Sequence, residues 1–169
     1  SYIGIYNEQT AVKAVVSVAS IGGETTFALG ANRDDESNSS LQYSSPQAGG
    51  TYSYEGIAIA FEEEDSYTDT TASMDINFDN STGTFSANNF APDEDASAKN
   101  INITSNLSIN NAAGTISSTS GTITVGNSSS DLALNGIIAF DNSAVAGAML
   151  PTAETDGVVG GIFVLPQNP

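Results

Sequence analysis

Histidine, cysteine and tryptophan are all missing from this 169-residue sequence, and only three basic residues oppose 20 Asp and Glu, for a formal net charge of −17. Each gap excludes something. Without His the chain lacks the commonest general base and the commonest ligand for a metal or haem. Without Cys it has no disulfide, no thiolate nucleophile and no tetrahedral zinc site. No glycine motif of the P-loop or dinucleotide type occurs either. The expectation is a protein that is not an enzyme and holds no cofactor. A surface this negative repels nucleic acid and anionic membranes, so neither is expected as a partner. No run of about 18 apolar residues is present, so no helix is expected to span a membrane.

What the chain has is Ser, Thr, Asn and Gly. With charged residues at only 14%, these supply most of the polar surface, a composition that suits secreted and surface β-proteins. No basic segment followed by an apolar stretch opens the chain. The reading is a mature or trimmed form, compatible with removal of a signal sequence or a lipid-bearing Cys upstream of residue 1, and a place outside the cell or on an outer-membrane surface.

Short apolar runs bounded by turn residues recur along the chain and predict strands. Val12, Ala14, Val16 and Val18 favour a strand over a short helix, and Gly22-Gly23 turns it into Thr25–Leu29 as a hairpin. Residues 30–50 are polar, acidic and Gly/Ser-rich, and read as a linker or long surface loop. They divide an N-terminal extension, 1–50, from a main domain, 51–169. That domain opens with Tyr52 and Tyr54 on one side and Ile57, Ile59 and Phe61 on the next, with a bulge expected at Gly56. Ala72, Met74, Ile76 and Phe78 alternate with polar residues, turn through 79–83 and return along 84–87. Ile101, Ile103, Leu107 and Ile109 alternate again; Thr115–Ser117 and Gly121–Val125 read as two further short strands. Three apolar runs finish the chain, Leu132–Phe140, Ala144–Leu150 and Val158–Leu165. The last is the least polar and is expected to complete the sheet.

Connections this short forbid crossover helices, so the sheet is antiparallel and meandering. The predicted fold is all-β: a meander closed into a barrel of about eight strands, filled by side chains, with an N-terminal hairpin or short helix packed outside. A two-sheet sandwich is the alternative. Phe61, Met74, Ile76, Phe78, Phe85, Phe140 and Phe163 are the expected filling.

Three stretches also carry a family resemblance: TYSYEG at 51–56, DNSTGTFS at 79–86, and AVAGAMLPTAETDGVVGGIF at 144–163. Together they resemble the β-barrel of transferrin-binding-protein-B-like surface proteins, with Val159-Gly160-Gly161-Ile162-Phe163 matching that family's last strand. The resemblance covers about residues 50–166. It implies an eight-stranded barrel on a bacterial surface lipoprotein that binds a protein or small nutrient ligand, without implying transferrin itself.

Two sets of residues are candidates for contact. Clustered carboxylates at Glu62, Glu63, Glu64 and Asp65, and at Asp93, Glu94 and Asp95, are of the oxygen-rich kind that holds calcium, although the EF-hand spacing is absent. A solvated acidic loop is the plainer account of both. Tyr52, Tyr54, Tyr67 and Phe90 are candidate binding-surface aromatics, since a Tyr ring offers an apolar body with a polar tip. The expected function is binding through loops at one end of the barrel, residues 62–70 and 89–99 among them. The alternative is a self-associating structural or adhesive component, with segment 1–30 packed against another copy.

Overall fold

The computed structural model describes residues 2–7, 12–21, 24–33, 49–94, 96–138 and 142–169, the first three stretches as backbone only. Every regular element among them is a strand. Strands β1 (Tyr2–Asn7), β2 (Val12–Ile21) and β3 (Glu24–Arg33) form a three-stranded antiparallel sheet in that order. The hairpin at Gly22-Gly23 is as predicted, with Ile21 paired to Glu24. The strand reading of 12–18 prevails over the helix. β3 runs on through Gly30–Arg33, which the sequence placed in the linker.

The barrel is built from β4 (Thr51–Phe61), β5 (Ser66–Asn77), β6 (Thr82–Ala87), β8 (Ile101–Asn110), β9 (Thr115–Val125), β10 (Ser128–Ile138), β11 (Ala144–Pro151) and β12 (Gly160–Pro166), with a two-residue strand, β7 (Ala91–Pro92), on β5. Each barrel strand pairs with the next, and β12 pairs with β4 while β4 pairs with β5. The ring is therefore closed and has no free edge, and the sandwich is set aside. The last strand completes it, as its apolar run suggested.

Burial follows the pleat. Along β8, Ile101, Ile103, Ser105, Leu107 and Ile109 are buried, and the residues between them are exposed. Tyr54, Tyr67, Phe85, Phe163, Met74, Ile76, Leu134 and Met149 are among the largest fully buried side chains. The Phe85 and Phe163 rings meet at 5.1 Å between centroids. Gly147 lies opposite Phe163 on one side and Gly136 on the other. A Cβ on Gly147 would fall 2.4 Å from the Phe163 ring. The two glycines thus leave the floor on which that aromatic lies, a device that fills a barrel without strain.

Three sequence expectations need correction. In β4 the interior face is Tyr52, Tyr54, Gly56, Ala58 and Ala60 throughout, and Ile57, Ile59 and Phe61 have the outward parity. The bulge opposite Gly56 belongs to β5, where two residues separate Asp69 from Ala72 while one separates Gly56 from Ala58. Phe61 is buried, yet outside the interior cluster. Second, Thr115–Val125 is one strand; a bulge near Ser118–Gly121 breaks its pattern, and this looked like two strands. Third, β10 starts at Ser128, directly after a two-residue turn. Of the expected filling, Met74, Ile76, Phe78, Phe85 and Phe163 are interior; Phe140 lies outside the described residues.

The wall of β4, β12 and β11 differs from the rest. Ala144 through Met149 and Gly160 through Leu165 are buried on both faces. Outward-pointing Ile162 and Val164 are 1% and 2% exposed. The reason is a cover: β2 and β3 approach β11, and β1 approaches β12. On the opposite wall, β8 turns Asn102, Thr104, Asn106 and Ser108 to water.

Candidate functional site

Strand direction sorts the loops into two ends. One end has the β4–β5 turn, the long β6–β8 connection, the β9–β10 turn and the β11–β12 loop; the other has the turns at 78–81 and 111–114 and the β10–β11 connection. The two candidate loops, 62–70 and 89–99, meet at the first end, but the first is loop only over 62–65, since β5 begins at Ser66. Asp156 and Glu154 join them there from the β11–β12 loop.

The sequence reading passed over the residue that ties this end together. Lys99, the only cation among the described side chains, forms an ion pair with Glu62. Its Nζ donates to the Asp156 carbonyl at 2.6 Å and lies 3.8 Å from the Asp156 carboxylate. Asp156 and Gly157 both have positive φ, 46° and 91°. With the reciprocal Thr155–Val158 backbone bonds at 3.0 Å, they form a tight primed turn of the Asp-Gly type. A Cβ on Gly157 would stand 3.0 Å from the Glu62 carboxylate; the glycine lets the two loops close on each other. The signal in the sequence was a lone lysine in an acidic domain, next to an Asp-Gly turn.

Electrostatics follow from this packing. Burial, then the Glu62 carboxylate, pushes the Tyr67 hydroxyl above its usual pKa. The hydrogen bond from Lys99 to Glu62, reinforced by the charges of Glu62 and Asp156, raises the Lys99 ammonium despite burial. The stabilisation from Lys99 is whole below its unfolded value and is lost as pH climbs through the higher folded one. We expect Lys99→Met to lower stability by about 1 kcal/mol at neutral pH, the scale of a partly exposed pair. A double-mutant cycle with Glu62→Gln measures the coupling by thermal melts; equal effects in the presence and absence of Glu62 would remove the pair as the cause.

Asp69 was also missed. It shares interior parity with Tyr67 and is fully buried. Its Oδ2 accepts from the backbone N–H of Asn88 at 2.8 Å and of Asn89 at 3.0 Å; its Oδ1 accepts from Thr71 N at 2.7 Å and Thr71 Oγ1 at 2.8 Å. These are the residues where β6 stops and β7 resumes beside β5. One carboxylate therefore satisfies the amides freed by the interruption and by the β5 bulge. Burial opposes its charge, but the donors from Asn89, Thr71 and Asn88 outweigh that and hold its pKa below the ordinary carboxyl value.

Glu62 is engaged by Lys99, and Asp93 accepts from Ser66 N, Ser66 Oγ and Ala96 N. Glu63, Glu64 and Glu94 are exposed and Asp65 half-buried; Asp95 lies outside the described residues. No three carboxylates converge as a metal group among the described residues. Tyr54 and Tyr67 are buried, and Phe90 is 9% exposed, so these rings are part of the core. Tyr52 is half-buried, edge-on to Phe78. No protein-family model matches the chain, and no curated protein matches it.

Proposed function

We propose that this chain is a non-enzymatic binding protein, exported or held on a bacterial surface, whose acidic loop end docks a partner protein through a basic face. The observation that carries the reading is the contrast between a barrel interior filled by Phe, Tyr, Ile and Met side chains and a loop end where Glu63, Glu64, Glu94 and Asp156 face water. A filled barrel leaves its rim and walls for recognition, and a rim of one sign steers partners of the other. The absence of His and Cys from the sequence supports the non-enzymatic part. The resemblance of Val159–Phe163 to transferrin-binding-protein-B-like barrels supports the surface location.

The test compares wild type with Glu63→Gln/Glu64→Gln/Glu94→Gln in capture from the native medium. The expected partner binds wild type at low salt, at least tenfold less in 0.5 M salt, and the triple variant weakly. Identical capture by both proteins would end the reading.

A further inference from the structure

The outward rows of β5, β6, β8 and β9 meet in register. Asp75 faces Thr84, Thr84 faces Asn106, and Asn106 faces Ser120. The pairs Thr82–Ser108 and Ser86–Thr104 flank that row on either side. All of these are exposed except Ser86, which is half-buried. Two depressions of about 640 and 390 Å³ lie along this face and share Thr84 and Asn106, so they form one groove. From β5 to β9 it crosses three strand spacings, roughly 14 Å in all. That is the reach of a short chain of sugar rings.

The lining has the matching chemistry. Hydroxyls both donate and accept, and so do the amides of Asn. Asn106 Nδ2 donates to Ser120 Oγ at 3.0 Å, which leaves the Asn106 Oδ1 to accept from a ligand. Asp75 Oδ1 accepts from Ser53 Oγ at 2.5 Å, and its second oxygen has no partner among the described residues. A carboxylate oxygen and an amide oxygen beside a row of hydroxyls suit neighbouring OH groups of a sugar, each of which both gives and takes a hydrogen bond. The methyl groups of Thr82, Thr84 and Thr104 offer small apolar patches to the C–H faces of the rings.

Charge narrows the class. Among the described residues that line the groove, Asp75 is the only charged one. Lys99, the only described cationic side chain, is held at the loop end by Glu62. Nothing here neutralises a uronate, a sialic acid or a sulfate, and the net charge of −17 repels all three.

We propose that the outward face of β5, β6, β8 and β9 is a binding groove for a neutral oligosaccharide. No aromatic ring stands on this face to stack against a sugar, so hydrogen bonds carry the affinity. One oligosaccharide is expected to bind with a dissociation constant near about 1 mM. The groove lies on the barrel wall, apart from the acidic loop end, and holds whether or not a basic partner docks there.

The experiment screens the full chain on immobilised glycans, with cello-, malto- and chito-oligosaccharides as the neutral set and sialyllactose and oligogalacturonate as the anionic set. The neutral glycan with the strongest signal is then titrated into isotope-labelled protein and followed by NMR. Backbone amide signals of β6 and β8 are expected to shift, and those of β11 and β12 to stay. Asp75→Ala and Asn106→Ala change exposed positions, so their thermal melts are expected to move little. Each is expected to raise the dissociation constant about tenfold. A chain that binds no member of the neutral set overturns the proposal. So does binding that ignores both substitutions, which would use another surface, or binding that favours the anionic set.

Discussion

Shortened to residues 49–169, the protein is expected to melt about 10 °C lower than the full chain and to bind an apolar dye that the full chain does not. The reason lies in the wall of β4, β12 and β11. Ile162 and Val164 point out of the barrel yet are 1% and 2% exposed, and Ala144, Ala146 and Ala148 are buried beside them. Removing β1, β2 and β3 returns this face to water. Full burial of one Ile or Val is worth about 1.5–3 kcal/mol, so loss of the cover costs roughly 3 kcal/mol even after partial relaxation. For a domain of this size each kcal/mol shifts the melting temperature by about 3–5 °C. Ile162→Asp in the full chain tests the same face without truncation, and is expected to destabilise by a similar amount. A shortened barrel with unchanged melting and no dye binding would show that the N-terminal sheet is an ornament and not a cover.

The second large effect is expected at Asp69. Asp69→Ala should lower stability by about 3 kcal/mol, because three backbone N–H groups and one hydroxyl lose a charged acceptor in a buried place. Hydrogen exchange at Asn88 and Asn89 should accelerate while amides in β9 are little changed. The pH dependence has a definite sign. The folded pKa lies below the ordinary carboxyl value, so the contribution is complete above the unfolded pKa and is lost as pH falls through the folded one. The gap between wild type and Asp69→Asn should stay level from about pH 5 to 8 and narrow below about pH 4. A gap that stays constant through the acid range would mean that shape matters there and charge does not.

Much of the barrel was legible because most of its strands have one wet face and one dry face. Ile101, Ile103, Leu107 and Ile109 alternate with exposed residues, and Met74, Ile76 and Phe78 alternate with exposed Ser73 and Asp75 and half-buried Asn77. Legibility failed where that contrast failed. β4 has Ile57 and Ile59 outside and Ala58 and Ala60 inside. With the N-terminal sheet over the neighbouring wall, the larger residues were assigned to the wrong side. In β9 the bulge at Ser118–Gly121 interrupts the period, and a polar stretch then reads as a gap. The site was less legible still. Both acidic loops were placed at one end, but loop charge alone could not show that Lys99 gathers them. Nor could an Asp within Tyr67–Thr71 show that backbone amides 19 and 20 residues away need it.

Ring closure also bears on how this chain comes to its shape. The seam joins Phe61 to Gly160 and Ile57 to Val164, partners about a hundred residues apart, while the other strands of the wall pair with near neighbours. Contacts this remote form late, since a long loop must be ordered before they bring any gain. Until β12 is in hand, β4 and β11 remain two unsatisfied borders, and the growing polypeptide is an open ribbon. Maturation therefore waits on its last strand, and a chain threaded from its N-terminus through a narrow conduit would stay pliable for nearly its whole passage.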